Sequence, residues 1–412
     1  MAIGAPTHSD EDSELSDLDG DDTIGFDSDF RTPSLSAKER AGLAPTLGAG
    51  LTRGSGDGDA ESFGGDVADP SVAAAPDFGA ALCEISCPTS TRAQCAAFSP
   101  DGSLLAFGCE DGIVRAHDAT TGRPSALFNT ATHDDPDAPR GVVTAVRFLR
   151  GDGVADDNRA NTRANVALVA TSAGRVFHWH ATSGAVLGDP IVETHNQTFA
   201  LDVRADGRAF ATAGSDATVR AYDRTTRRET SRLPSGSADG RADRIFAVRY
   251  LDDAADVVAS AGWDNTLTVW DARAGPRPAR IIRGPSVCGD AVDARFGNGG
   301  VEILTGSWRD RRAVQLWDLG TGRVLADVPF GALEGEKNCQ VYGARFAKKG
   351  RMIVAAGSGS NEARATRATT GTCAARVAGL PAAAHAVELA PDETKVAVTC
   401  ADGVRVFETK GW

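Results

Sequence analysis

The chain has 412 residues, of which 42% are hydrophobic, and a formal charge of -13. That apolar share is ample for a buried core. No run reaches the roughly 18 apolar residues of a membrane span, and Met1-Ala2-Ile3-Gly4-Ala5 leads into acid rather than a signal segment, so a soluble intracellular protein, cytoplasmic or nuclear and with no membrane partner, is expected.

The first segment carries the charge. Residues 1–30 hold ten acids and no Lys or Arg, which leaves the remainder near -3. Gly, Ala, Ser and Pro continue to about Phe78, and such a composition cannot bury enough apolar surface to offset its ordering entropy. Residues 1–78 are therefore predicted to be a disordered acidic arm and 79–412 a folded domain. Asp17-Leu18-Asp19-Gly20-Asp21-Asp22 resembles the start of a calcium loop, but Asp22 stands where glycine is needed and Ser28 where glutamate is needed. Ser9, Ser13, Ser16 and Thr32 are candidate phosphorylation sites, and simple acidic solvation is the competing reading.

From Ala93 onward one pattern recurs seven times. An apolar strand ends near an aromatic, a small-residue strand follows, then an acidic turn, then a strand that closes on a conspicuous pair. The clearest copy runs from Ile245 to Asp271. The closing pairs are His117-Asp118, Trp179-His180, Tyr222-Asp223, Trp270-Asp271, Trp317-Asp318, Thr366-Arg367 and Phe407-Glu408, spaced by 62, 43, 48, 47, 49 and 41 residues. The first interval is long because polar residues are inserted between Phe148 and Val166. Gly-closed turns such as Ala119-Thr120-Thr121-Gly122 follow several pairs and suit a hairpin into an outer strand.

This recurrence resembles the WD-repeat family. The resemblance implies an all-β, seven-bladed β-propeller of four-stranded antiparallel blades acting as a non-catalytic platform for other proteins, a monomer within a larger complex. Strand counting adds a closure. The last copy leaves four residues after Glu408, too few for an outer strand, and an unpaired edge invites association. Residues 80–86 (Ala80-Ala81-Leu82-Cys83-Glu84-Ile85-Ser86) are predicted to supply the missing strand. The family's hydrogen-bonded tetrad is approached only in the third copy, by His195, Ser215, Asp216 and Tyr222, whereas Asn361 and Thr366-Arg367 make the sixth blade the one expected to be tied least tightly.

Signatures of phosphate loops, nucleophile elbows, zinc proteases and dinucleotide folds are absent, so no cofactor and no catalytic residue is assigned. An enzyme in the propeller channel is the weakest alternative. His178 and His180 share a strand face but lack a third ligand nearby, and the eight cysteines form no C-x-x-C pair and read as buried thiols. Arg147, Arg249, Arg295 and Arg345 recur before the aromatic that ends the first strand. Structural ion pairing near the lower rim is the expectation, and the nearly neutral body argues against nucleic acid.

Two places are singled out for partners. Turns between second and third strands point to the upper face, where Trp263, Trp308, Arg309 and Arg311, with Glu110 elsewhere on the rim, form a candidate docking patch of residue types enriched in binding hot spots. Packing of the indoles on neighbouring loops is the alternative. Trp270-Asp271-Ala272-Arg273 also matches the W-D-x-R sequence that, in some WD-repeat proteins, marks substrate receptors of cullin-based ubiquitin ligases, and Arg273 is then the contact residue.

Overall fold

The computed structural model describes residues 77–88, 91–133, 141–149, 165–235, 243–251, 256–297, 300–330, 339–410 and 412. The acidic arm to residue 76, the calcium-like segment, the candidate phosphorylation sites and residues 150–164 of the insertion lie outside the described residues. Ordered contacts begin slightly earlier than the boundary at 79. Asp77 bridges to Arg376, and Phe78 is buried against Phe407 and Trp412.

Seven antiparallel sheets make seven blades. Blade 1 contains Ala93–Phe98, Leu104–Cys109, Ile113–Asp118 and Pro124–Asn129. Blade 2 begins with Val143–Phe148, Val166–Thr171 and Arg175–His180, and its outer edge is split between Ala185–Val186 and Ile191–Val192. Blades 3 to 6 start at Thr198–Val203, Ile245–Tyr250, Val292–Gly297 and Gln340–Ala347. Blade 7 holds Ala386–Leu389, Lys395–Cys400 and Gly403–Glu408, and its fourth strand is Cys83–Ser86 from the other end of the domain. Cys83 pairs with Val406 and Ser86 with Gly403 in an antiparallel register, so the ring closes as the strand count predicts.

Contacts between first strands run from blade 1 round to blade 7 and back, which puts those strands at the centre. Composition follows position. Second strands are buried at every residue (Val166–Thr171) or at all but the first (Ala209–Gly214, Val257–Gly262) because a blade packs on each side, and they are rich in Ala, Val, Gly and Thr. Outer strands such as Glu229–Pro234 alternate toward solvent. Gly262 ends its second strand where the Arg244 carbonyl crosses, and a side chain there would overlap that oxygen.

Four blades are tied internally in two different ways. In blades 4 and 5 the closing indoles donate to hydroxyls, Trp270 Nε1 to Ser260 Oγ at 2.9 Å and Trp317 Nε1 to Thr305 Oγ1 at 2.8 Å. Blade 3 departs from the tetrad expected of His195, Ser215, Asp216 and Tyr222. His195 is exposed, and the buried acceptor is Glu193, which takes hydrogen bonds from Tyr222 Oη (2.9 Å), Thr198 Oγ1 (2.8 Å), Asn196 Nδ2 (2.7 Å) and Thr212 Oγ1. A carboxylate two residues upstream thus does the imidazole's work. Asp216 instead pairs with Arg220. Blade 6, expected to be loosest, carries a buried ion pair, Arg364 Nη2 to Glu362 Oε1 at 2.6 Å, with Ser360 Oγ also donating to that oxygen and Phe330 beneath the guanidinium. All eight cysteines are free thiols, with Cys83 and Cys87 half-buried and the rest buried.

Candidate functional site: two rings on the central strands

The pairing registers place one residue of each first strand at the same height in the channel. Each sits one step before the residue opposite the partner of the closing aromatic position. In blade order these are Ala97, Arg147, Asp202, Arg249, Asp293, Arg345 and Glu388. From blade 2 to blade 7 the charges alternate. Seven is odd, so full alternation requires one neutral member, and Ala97 is it.

Neighbours in this ring bond to one another. Arg147 lies 3.8 Å from Asp202, Arg249 lies 3.1 Å from Asp202 and 3.6 Å from Asp293, and Arg345 lies 3.1 Å from Glu388. The acids also take backbone groups of the next blade: Asp202 Oδ2 accepts the Tyr250 N–H and Asp293 Oδ2 the Phe346 N–H, both at 2.8 Å. Asp290 is the hub, reaching Arg147, Arg345 and, at 3.8 Å, Arg249. Burial alone would raise its carboxyl, but the Arg147, Arg345 and Arg249 guanidiniums together hold it well below the usual carboxylate range.

The four recurrent arginines are therefore ion-paired, as expected, but three of them fill the channel and the fourth stands elsewhere. Arg295 falls two residues past the ring position, which Asp293 occupies in blade 5. It pairs with Glu302 at 2.6 Å, reaches the Gly350 carbonyl and covers Phe346. Its neighbour Phe296 is 66% exposed, unlike Phe98 and Phe148.

Three residues upstream of the charge ring lies a second ring: Gln94, Thr144, Phe199, Phe246, Asp290, Tyr342 and His385. Five of these fall in the register shifts that open the first strands of blades 1 to 4 and 6, where one extra residue is squeezed between paired neighbours. A bulge turns a side chain that would otherwise face the neighbouring blade. Four members are aromatic or imidazole, on blades 3, 4, 6 and 7. Phe199 stacks on Phe246 with centroids 5.1 Å apart, and Tyr342 stacks on His385 at 5.7 Å. Burial, reinforced by Arg92, lowers the His385 imidazole to about 4.

Of the turn residues singled out in the sequence, Trp263, Trp308 and Glu110 meet this mouth. Trp263 packs on Phe246 at 5.1 Å with Arg244 over its ring, and Trp308 donates from Nε1 to Tyr342 Oη at 3.1 Å. Both indoles are half-buried. Cys288, whose thiol burial pushes up to about 11, lies against Trp263. Glu110 accepts from Gln94 Nε2 at 2.8 Å on blade 1, across the ring from the tryptophans rather than beside them. Arg309 is committed to its own turn. Its guanidinium donates to the Arg312 carbonyl (2.8 Å), the Gly284 carbonyl (3.2 Å) and Gln315 Oε1. Arg311 is exposed. The mouth residues Phe199, Phe246, Tyr342 and His385 escaped the sequence reading, and the signal that finds them is their fixed offset from the charge ring.

On the lower side, Arg273 is 63% exposed and is held by a two-pronged bond to Asp271, both contacts at 3.0 Å. His178 is enclosed in blade 2 against Phe210, with its imidazole lowered to about 4 by burial, while His180 Nδ1 meets Ser183 Oγ at 2.7 Å. Among the described residues no group of His, Cys, Asp and Glu is arranged to hold a metal ion, and no helix is long and apolar enough to cross a membrane.

Comparison with known proteins agrees with this architecture. The family model described as "WD domain, G-beta repeat" matches residues 82–118, from the closing strand through the third strand of blade 1. A LEC14B homolog of Prunus armeniaca is 28% identical over 124 residues, 29% of this chain, and Coronin-7 of Bos taurus is 31% identical over 78 residues, 18% of this chain. The matched region spans 24% of the first protein and 8% of the second. With seven four-stranded blades and a repeat carried through all of them, the chain is a seven-bladed β-propeller, and that family match makes it similar to WD-repeat propellers, a fold that generally serves as a protein-interaction platform.

Proposed function

We propose that the upper mouth is a docking site for an apolar segment of another protein, and that the chain is a non-catalytic scaffold, a monomer within a larger intracellular complex. The observation that carries this reading is the aromatic arc of Phe199, Phe246, Trp263, Trp308, Tyr342 and His385 over blades 3 to 7. Aromatic side chains offer large contact area at small entropic cost and dominate binding energetics. Below them each guanidinium of the charged ring already faces a carboxylate, so a ligand gains most by lying across the mouth. Arg309 acts by positioning the Trp308 turn, and Arg311 is the cation at its edge.

The test is affinity purification with quantitative recovery from four forms: unmutated, Phe246→Ala, Trp308→Ala and Arg273→Ala. A partner held at the mouth is recovered equally with Arg273→Ala and is weakened about thirtyfold, roughly 2 kcal/mol, by either mouth variant. Partners indifferent to both mouth variants would overturn the reading. The same experiment addresses a second reading, a cullin-ligase substrate receptor, favoured by the exposed and pre-oriented Arg273. There a ligase adaptor is recovered with the mouth variants and lost with Arg273→Ala.

A further inference from the structure

Ring closure depends on the short strand Cys83–Ser86, and a pair of thiols stands where it ends. Cys87 follows that strand directly, and its N–H donates to the Asp402 carbonyl of blade 7 at 2.9 Å. Cys109 ends the second strand of blade 1. Their Sγ atoms are 3.7 Å apart, although the residues belong to different blades. We propose that Cys87 and Cys109 form a redox-sensitive pair whose disulfide fastens the closing strand to blade 1.

The two sulfurs divide the chemistry. Cys87 is half-buried and open to a small oxidant, whereas Cys109 is 0% exposed. The hydrogen bond from Cys109, aided against burial by Arg115, lowers the Cys87 thiol, while the same contact and burial raise Cys109. Cys87 is thus the attacking thiolate and Cys109 the resolving thiol. With hydrogen peroxide as oxidant, the Cys87 thiolate attacks one oxygen and the O–O bond breaks. This gives a Cys87 sulfenic acid and hydroxide, which takes a proton to become water. Cys109 then loses its proton and attacks the Cys87 sulfur. The S–S bond forms, the S–O bond breaks and a second water leaves. Two thiols have lost two electrons and two protons, and one peroxide has become two waters.

The bond would anchor the end of Cys83–Ser86 nearest blade 1, so peeling of that strand could start only from Cys83. A cross-link of this span also restricts the unfolded chain.

The experiment uses the full chain, reduced, then exposed to one equivalent of hydrogen peroxide and quenched with an alkylating agent. The expected result is a 2 Da loss, about two hydrogens, mapped to linked peptides bearing Cys87 and Cys109, as two thiols become one disulfide. Amide exchange at residues 83–86 should slow by about tenfold and the melting midpoint should rise by about 3 °C. Cys87→Ser, at a half-exposed site, should fold and show none of these changes, which keeps the test decisive even where Cys109→Ser fails to fold. Linkage of Cys87 to Cys83 or Cys400, linkage between two chains, or accumulation of Cys87 sulfinic acid would each overturn the pairing. A correct disulfide that leaves exchange at 83–86 unchanged would overturn the fastening.

Discussion

The charge ring and the mouth ring sit three residues apart on the same seven inner segments, yet apart from Asp290, which reaches down to the arginines, they are built on opposite principles. At the lower height every guanidinium has a carboxylate and two of the acids cap a neighbouring blade's backbone, so the blades are zipped to one another. At the upper height four rings stack in two pairs, one indole packs on Phe246 and the other donates to Tyr342, and all six stay half-buried. Desolvated ions that satisfy each other specify geometry, and loss of one member is severe because the others remain buried. Half-exposed aromatic surface contributes less to folding and is available for association. Stability thus rests with the charge ring, and the proposed recognition with the aromatic one.

The largest expected effect follows from removing a ring acid. Asp202 is 6% exposed and holds Arg249 and the Tyr250 N–H, with Arg147 close by, so Asp202→Ala should cost about 4 kcal/mol in denaturant unfolding. A loss under about 1 kcal/mol would show that the ring is ornamental. Blade 6 offers a parallel case. Arg364→Met leaves Glu362, 1% exposed, without its cation and should cost about 3 kcal/mol, while the double variant Glu362→Leu/Arg364→Met should recover much of it. Recovery separates pair breakage from lost volume.

Acid sharpens the division in another way. His178 has its folded value depressed to about 4 from an ordinary 6.5, so the unfolded chain takes up the proton first. Stability is then full above pH 6.5 and falls as pH drops toward 4, by on the order of 3 kcal/mol, with His385 adding in the same direction. Asp290 acts later. Its depressed carboxyl contributes stability that is complete above the ordinary carboxylate range and is lost only at lower pH. Urea unfolding between pH 8 and 2 should therefore show two stages, and His178→Leu should shrink the first, leaving the His385 share, without changing the second.

The blade count, the closing strand and the closing pairs at Trp270 and Trp317 were legible in the sequence, because each rests on periodicity or a literal residue pair, whereas the hydrogen bonds those indoles make to Ser260 and Thr305 were not. The carboxylate ties were not. Glu193 does the work assigned to His195 from two residues away, and Glu362 with Arg364 ties a blade that has no aromatic to announce it. Arg295 shows how alignment by residue type misleads: Ala-Arg-Phe recurs in blade 5, but pairing of Asp293 with Leu304 puts the acid at ring height. The mouth was half-legible. Trp263 and Trp308 announce themselves in turns, whereas Phe199, Phe246 and Tyr342 look like strand residues until the bulges redirect them.

The smallest expected effect is the one that decides what the mouth is for. Phe199 lies half-buried at the arc's end, stacked on Phe246, so Phe199→Ala removes one ring contact and a modest apolar area. At about 25 cal/mol per Å² that amounts to roughly 1 kcal/mol of folding stability, a quarter of the loss expected at Asp202 three residues away on the same strand. Partner recovery should nevertheless fall steeply for Phe199→Ala, while a conservative ring change such as Asp202→Glu should shift the melting midpoint and leave recovery per folded molecule unchanged. If Phe199→Ala instead destabilises the propeller as much as Asp202→Ala does, the aromatic ring is part of the fold's own zipper, and the two heights of the channel share one role.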